Sequence, residues 1–381
     1  MNRDFPLDRA RLLAALRGQR VGVVCTPAAW WPGTGGLADW LNVEVDVHAL
    51  IALEHGLRGE LQDGIEVESQ TDSRTGLPVY SLYNEKKALP AACLDTIDTI
   101  CFCAQDVSHR AYTFKESLAI LLASATAHGK RLVVVDRPTP LGHLGPMGPV
   151  ARQFFPLPLP VVIPYTLGEL ALYLNASPGY GAALTVVPCV GWHRSMQWCD
   201  DATPWVPPSP NIPTLTSVYA YAATGLLQAT NLSEGRGTCK PFEYVGAPYV
   251  DAAALAGELS ARGPGLGILS RDIYFRPMFN IHAGEVCGGI HLMVQDRNRF
   301  APLAVGLTLL QQVARLHPTE FRLTPTFGTW LDGSAWSPGR LRDLDIDACL
   351  AEWATAAAGF AARMTDHLLY SSAPTYPQKA D

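Results

Sequence analysis

Val45-Asp-Val-His-Ala-Leu-Ile-Ala-Leu-Glu-His-Gly56 runs from an apolar stretch straight into a carboxylate, an imidazole and a glycine. A short apolar run stopped by turn-forming residues reads as a buried strand with its chemistry at one end. Three further runs have the same character: Arg20-Val-Gly-Val-Val-Cys-Thr26, Thr99-Ile-Cys-Phe-Cys-Ala104 and Arg131-Leu-Val-Val-Val-Asp136. Helix-like stretches separate them, as crossover connections between parallel strands require. The clearest crossover is Lys115 to His128, closed by Gly129 before the strand at Arg131. Thr166-Leu-Gly-Glu169 has the spacing of a capping box and opens a helix to Asn175. The fold class is therefore α/β, built on a parallel sheet.

The remainder reads differently. From Pro138 to Pro164 prolines are frequent, which predicts an ordered excursion over the sheet or a lid. After Thr238, Asp251 caps a helix to Arg262, and Ile273-Tyr-Phe-Arg and Gly289-Ile-His-Leu-Met-Val read as strands. Helices follow at Pro302–Leu316 and from Asp347 to about Leu368. This predicts an N-terminal domain over residues 1–230 and a smaller α+β domain over 231–381.

The 381 residues are 48% hydrophobic and 17% charged, an ordered globular composition with net charge −6. No basic stripe favours nucleic acid or an anionic membrane. Met1 to Leu16 lacks an apolar signal core, and no window approaches the ~18 apolar residues of a membrane span, so a cytoplasmic location is expected. The nine scattered cysteines read as reduced thiols, with Cys101 and Cys103 on one buried strand face. No second Cys/His pair follows at zinc spacing, so no metal is expected. Gly33-Thr-Gly-Gly-Leu-Ala38 imitates a dinucleotide fingerprint, with Glu54 about 20 residues on. The bulky Pro27-Ala-Ala-Trp-Trp-Pro32 insertion argues against it, and no cofactor is expected. A small-molecule or sugar substrate is, with a homodimer left open.

Ligands bind α/β sheets beyond the carboxyl ends of the strands. There the sequence places Glu54, Asp106 and Asp136. Three such acids in one crevice repel and raise at least one pKa, unless Arg58, Arg110 or Arg137 neutralises them. A carboxyl kept protonated near neutral pH suits a general acid. Asp106 and Asp136 serve equally well as loop caps or arginine partners. A second polar constellation, Thr230-Asn-Leu-Ser-Glu-Gly-Arg-Gly-Thr238 followed by Pro241-Phe-Glu243, offers glycines for close approach and Arg236 for an anion. It is a binding loop or a turn-rich connection. His282-Ala-Gly284 is balanced between ligand contact and a structural role.

These residues resemble the exo-β-N-acetylmuramidases of the NamZ type, glycoside hydrolase family 171. The resemblance runs from about Arg20 to the chain end through Glu54-His-Gly-Leu-Arg-Gly59, Thr75-Gly-Leu-Pro-Val-Tyr-Ser-Leu-Tyr83, Gln105-Asp-Val and Arg110-Ala-Tyr-Thr113. It continues through Asp136-Arg-Pro138, Pro207-Pro-Ser-Pro-Asn211, the 231–238 loop, Pro241-Phe-Glu243 and His282-Ala-Gly. It implies a Rossmann-like domain without a dinucleotide, a smaller C-terminal domain and a cleft between them. The implied activity is release of terminal β-linked N-acetylmuramic acid from peptidoglycan fragments. Glu54 then matches the catalytic acid, in line with the raised-pKa carboxyl that glycoside hydrolysis needs. Glu234, Asp106 and Glu243 are candidates for the second carboxylate, Glu234 foremost. Arg236 or Arg137 would meet the sugar's lactyl carboxylate. His55, Arg58, Arg110, Tyr112, Asp136, Asn211, Asn231, Ser233, Thr238, Glu243 and His282 complete the implied binding set.

The chain departs from the family pattern at Thr26, Ala52-Leu53, Thr139, Met147, Val162-Ile-Pro-Tyr-Thr166 and Gln228-Ala229. Most of these remove polar groups, which predicts altered substrate recognition. The alternative expectation is a repurposed enzyme acting on another small molecule in a specialised biosynthetic pathway.

Overall fold

A computed structural model describes residues 5–62, 64–65, 70–82, 87–153, 155–198 and 203–371. Tyr83, at the end of the Thr75 motif, lies outside them. The first strands are β1 Val21–Cys25, β2 Trp30–Trp31, β3 Gly35–Gly36, β4 Val47–Ala52, β5 Gln70–Thr71 and β6 Pro78–Ser81. β7 Thr99–Cys103, β8 Arg131–Val135 and β9 Ala183–Val187 follow. Seven of these form one sheet in the order β5-β6-β4-β1-β7-β8-β9, parallel except for the edge strand β5.

All four apolar runs form central strands. Their burial on both faces explains why they are continuous rather than alternating. Val24, Ala49 and Ile51 enter one apolar cluster, while Val21, Val23, Leu50 and Ala52 enter the other. The predicted crossover is the helix Phe114–Ala127, and Gly129 after it has φ +61°. Both halves of the Thr166–Glu169 capping box are present at the head of Leu167–Asn175. Cys101 and Cys103 are free, buried thiols of the second cluster, and burial pushes Cys103 up to about 12. The glycines of the dinucleotide-like motif close the β2–β3 ribbon, with Trp31 paired to Gly35. β6 and β9 went unread because β6 begins on a proline and β9 is only partly buried.

The proline-rich excursion is packed, not a lid. Val161, Val162 and Ile163 are fully buried, and Arg110 N–H donates to Val161 O. Beyond it, β10 Tyr244–Ala247, β11 Ile268–Phe275 and β12 Cys287–Val294 form an antiparallel sheet in the order β10-β12-β11. The helices Ala252–Arg262, Pro302–Leu316 and Ile346–Met364 lie where the sequence placed them, the first capped by Asp251. A helix over Leu215–Thr224, unread in the sequence, is buried throughout most of its length and packs on Pro302–Leu316. One apolar cluster runs from Val24 to Met364, so the sheet and the C-terminal helices share a core.

Candidate active site

Glu54 lies two residues past β4. The chain turns sharply there: His55 has φ +75° and Gly56 φ +81°, and a Cβ at residue 56 would meet the Glu60 carboxylate at 2.8 Å. A non-glycine residue held left-handed stores backbone strain, which functional sites tend to concentrate. His55 is buried, and its Nδ1 lies 3.1 Å from Leu61 O. A carbonyl only accepts, so Nδ1 carries the proton and fixes the ring.

The Glu54 carboxylate is half-buried and gripped from two sides. Thr113 Oγ1 donates to Oε2 at 2.6 Å, and the Gly64 N–H donates to Oε1 at 3.3 Å. Thr113 is the residue before the crossover helix, so the loop after β7 clamps the acid presented by β4. Around Glu54 opens a cavity of about 300 Å³, walled by Tyr112, Tyr221, Phe242, Trp330, Asn211 and Arg236. That meets the lower bound of ligand-sized pockets. The Tyr112 hydroxyl is buried, with no hydrogen-bond partner among the described residues. Burial, with Asp106 and Glu54 nearby, pushes its pKa far up, so it remains a donor. Arg236 reaches the cavity from the second constellation, and its Nε bonds Glu234.

Of the residues singled out in the sequence, Glu54, His55, Tyr112, Asn211 and Arg236 line this cavity. The others sit elsewhere. Arg58 is locked between Asp39 and Asp72 at 3.0 and 2.8 Å. Arg110 is spent on the carbonyls of Pro149, Leu159, Trp330 and Leu331. Asn231 takes the Arg322 N–H and the Tyr249 hydroxyl, and His282 Nε2 donates to Asn231 O at 2.9 Å. Ser233 pairs with Gly246, and the Thr238 hydroxyl closes on Gly235 O. Glu243 binds Lys240 at 3.0 Å and faces His291 at 3.5 Å. Glu234 is buried between Arg236 and Asn280.

The expected crevice of three mutually repelling acids is not what forms. Asp106 is buried against the fully buried Lys115 at 2.5 Å and accepts from Ser108 N–H at 2.9 Å. None of the three arginines supplies its countercharge; a lysine on the crossover helix does. Asp136 lies at the end of β8, three strands from β4, a spacing of about 14 Å. It accepts from Thr166 Oγ1, Gly168 N–H and Tyr370 OH at 2.6, 2.8 and 2.7 Å. Its pKa rises to about 6 through burial, against the pull of those donors. Arg137 beside it belongs to a different cavity.

Sequence reasoning missed Glu116, Tyr221 and Trp330 as cavity residues. Glu116 carried a signal: it lies three residues after Thr113 in the first turn of the crossover helix. It pairs with Lys87 at 3.0 Å. Among the departure positions, Gln228 alone lines the cavity. Val162 and Ile163 are core, and Thr26 is buried. Most of the departure positions therefore lie in the interior rather than in the cavity wall. No helix among the described residues is long and apolar enough to cross a membrane, and no group of three or more potential metal ligands occurs among them.

A glutamate clamped at a strand's carboxyl edge, in a ligand-sized cavity walled partly by a smaller α+β unit, marks an α/β protein with a ligand site at its sheet edge. Residues 21–216 match the N-terminal family model of the exo-β-N-acetylmuramidase NamZ, and residues 219–370 match its C-terminal model. The chain belongs to that family. It is 38% identical over 331 residues to the peptidoglycan β-N-acetylmuramidase NamZ of Bacillus subtilis strain 168, covering 84% of this chain and 79% of that one. A crystallised DUF1343 family protein of Bacteroides fragilis NCTC 9343 superposes with a TM-score of 0.82 at 27% identity, covering 95% of this chain and 97% of that one. A second such protein from the same strain shares the fold, with a TM-score of 0.75 at 23% identity over 96% of this chain and 98% of that one.

Proposed function

We propose that this protein is an exo-acting β-N-acetylmuramidase that removes terminal N-acetylmuramic acid from peptidoglycan fragments, with Glu54 as general acid. The observation that carries the reading is the clamped Glu54 facing a cavity that also holds Arg236. The Bacillus relative, a peptidoglycan β-N-acetylmuramidase, supports it. Glu54 passes its proton to the glycosidic oxygen as the bond from C1 to that oxygen breaks, and water then adds at C1, giving up a proton that restores the Glu54 carboxyl. Thr113 and the Gly64 N–H hold the carboxyl toward the leaving oxygen. Arg236 pairs with the lactyl carboxylate that distinguishes muramic acid from glucosamine. Glu234, buried against Arg236, is a positioning residue in this scheme rather than the second acid. Arg236 is preferred over Arg137 because it shares Glu54's cavity. The aromatic walls give the sugar ring its apolar contacts. A cytoplasmic setting fits the eight unpaired cysteines of the described residues.

The test is release of chromophore from a β-N-acetylmuramide and from the matching glucosaminide, by wild type and by Glu54→Gln. Wild type is expected to cleave the muramide preferentially and the variant to be nearly inert. Equal turnover by a folded Glu54→Gln protein removes the acid assignment, and cleavage of neither substrate removes the activity.

A further inference from the structure

A second cavity, of about 230 Å³, opens at the carboxyl ends of β8 and β9, on the far side of β1 and β7 from Glu54. Its walls are mostly flat and apolar: Trp30, Trp31, Trp198, Pro138 and Pro188, with Phe5 among the N-terminal residues that line it. Its charged lining residues are Arg9, Asp136 and Arg137; Arg9 is exposed and bonded to Thr34 Oγ1 and Gly33 O, which leaves Arg137 as the buried cation. Arg137 is 7% exposed, and its guanidinium stacks over the Trp31 ring at 4.6 Å. Nε donates to Gln105 Oε1 at 2.9 Å, while Nη1 lies 3.5 Å from Trp30 O and the side chain also reaches the Cys103 thiol. Every one of these partners is neutral. Among the described residues no carboxylate lies in ion-pair range of Arg137, and the adjoining Asp136 carboxyl is engaged by Thr166, Gly168 and Tyr370.

A buried charge without an ionic partner is expensive, and proteins keep one where a ligand supplies the counterion. The planar fork of arginine, already oriented by stacking and by Gln105, suits a carboxylate in two-point contact. With Arg9 held at an exposed position by Thr34 and Gly33, the one buried guanidinium matches a carboxylate better than a phosphate dianion, which needs more donors. The volume, below the ~300 Å³ of drug-sized pockets, sets a compact body. The flat tryptophan and proline walls favour a ring.

We propose that this cavity is a second binding site, for a small monocarboxylate bearing an apolar ring, its carboxylate on Arg137 and its ring between the tryptophans. The site stands independently of the role given to Glu54. Titration calorimetry of the full-length protein with phenylacetate, cyclohexanecarboxylate, phenylacetamide and inorganic phosphate tests it, with tryptophan fluorescence as a parallel readout. Saturable binding of at least one carboxylate is expected, with phenylacetamide and phosphate at least tenfold weaker. Arg137→Gln should weaken carboxylate binding at least tenfold. Trp30→Ala, at a position 37% exposed, should weaken it several-fold, while Arg236→Gln in the other cavity leaves it unchanged. Three outcomes overturn the proposal: no saturable binding of either carboxylate, amide binding equal to carboxylate binding, or loss on Arg236→Gln with Trp30→Ala silent.

Discussion

The two cavities share one sheet edge and handle charge in opposite ways. At the end of β4 the acid, Glu54, is half-exposed and gripped by one hydroxyl and one amide. At the end of β8 the acid, Asp136, is withdrawn into three hydrogen bonds, and the adjoining arginine faces the open space. A carboxylate just past a buried strand is thus presented to a cavity in one place and tied down beside an arginine in the other. The difference arises from what the following loop supplies. After β4 a left-handed turn at His55 and Gly56 throws the glutamate outward. After β8 the capping-box helix at Thr166 and Gly168 draws the aspartate inward.

The largest effect should follow from removing the proposed acid. Glu54→Gln is expected to lower kcat on the muramide about 10²–10⁴-fold, the usual contribution of general acid catalysis, with its urea midpoint near wild type. Next in size is the buried pair behind the first cavity. Lys115→Met leaves Asp106 buried without its countercharge, and a loss of about 3–5 kcal/mol in urea unfolding is expected. Intact stability would mean that Ser108 and solvent suffice.

The second cavity's acid gives a pH test. Asp136 has its folded pKa raised to about 6, above the value of about 3.9 for an unfolded aspartate. Between those values the native state holds a proton that the unfolded state has lost, so stability falls as pH rises from about 4 through about 6. The cost is about 3 kcal/mol at neutral pH, at 1.36 kcal/mol per unit. In Asp136→Asn that part of the slope should disappear when unfolding is compared at pH 4.5 and 7. An unchanged slope would place the titration elsewhere. The smallest expected effect is at the clamp: Thr113→Val should cost about tenfold in kcat, about 1.4 kcal/mol and at the upper end of a typical net hydrogen bond, with little change in KM. A drop that appears in KM alone would make Thr113 a binding residue instead.

Much of the architecture was legible in the chain, because its signals are local. The four strand runs, the Thr166–Glu169 box, the Asp251 cap and the Pro302 helix start each depend on residues at most a few positions apart. The short, half-exposed β6 and β9 lacked that signal. Of the candidate site, Glu54 was legible because a strand end facing a crevice follows from strand order and polarity alone. Arg236 was legible as a donor between two glycines but not as Glu54's neighbour.

The sequence by itself determined the parallel sheet, the small α+β unit and the acid at the end of β4, since hydrophobic periodicity and capping spacing are written residue by residue. Tertiary structure alone decided which charges meet. Lys115, read only as part of a helix, became the partner of Asp106, while Arg110 was consumed by backbone carbonyls. Glu54, Thr113 and Arg236 converge across as many as 182 residues. The physical reason is that a charge buried at low dielectric is settled by whichever donor or counterion the packing brings within a few ångströms. Spacing along the chain carries no record of that distance.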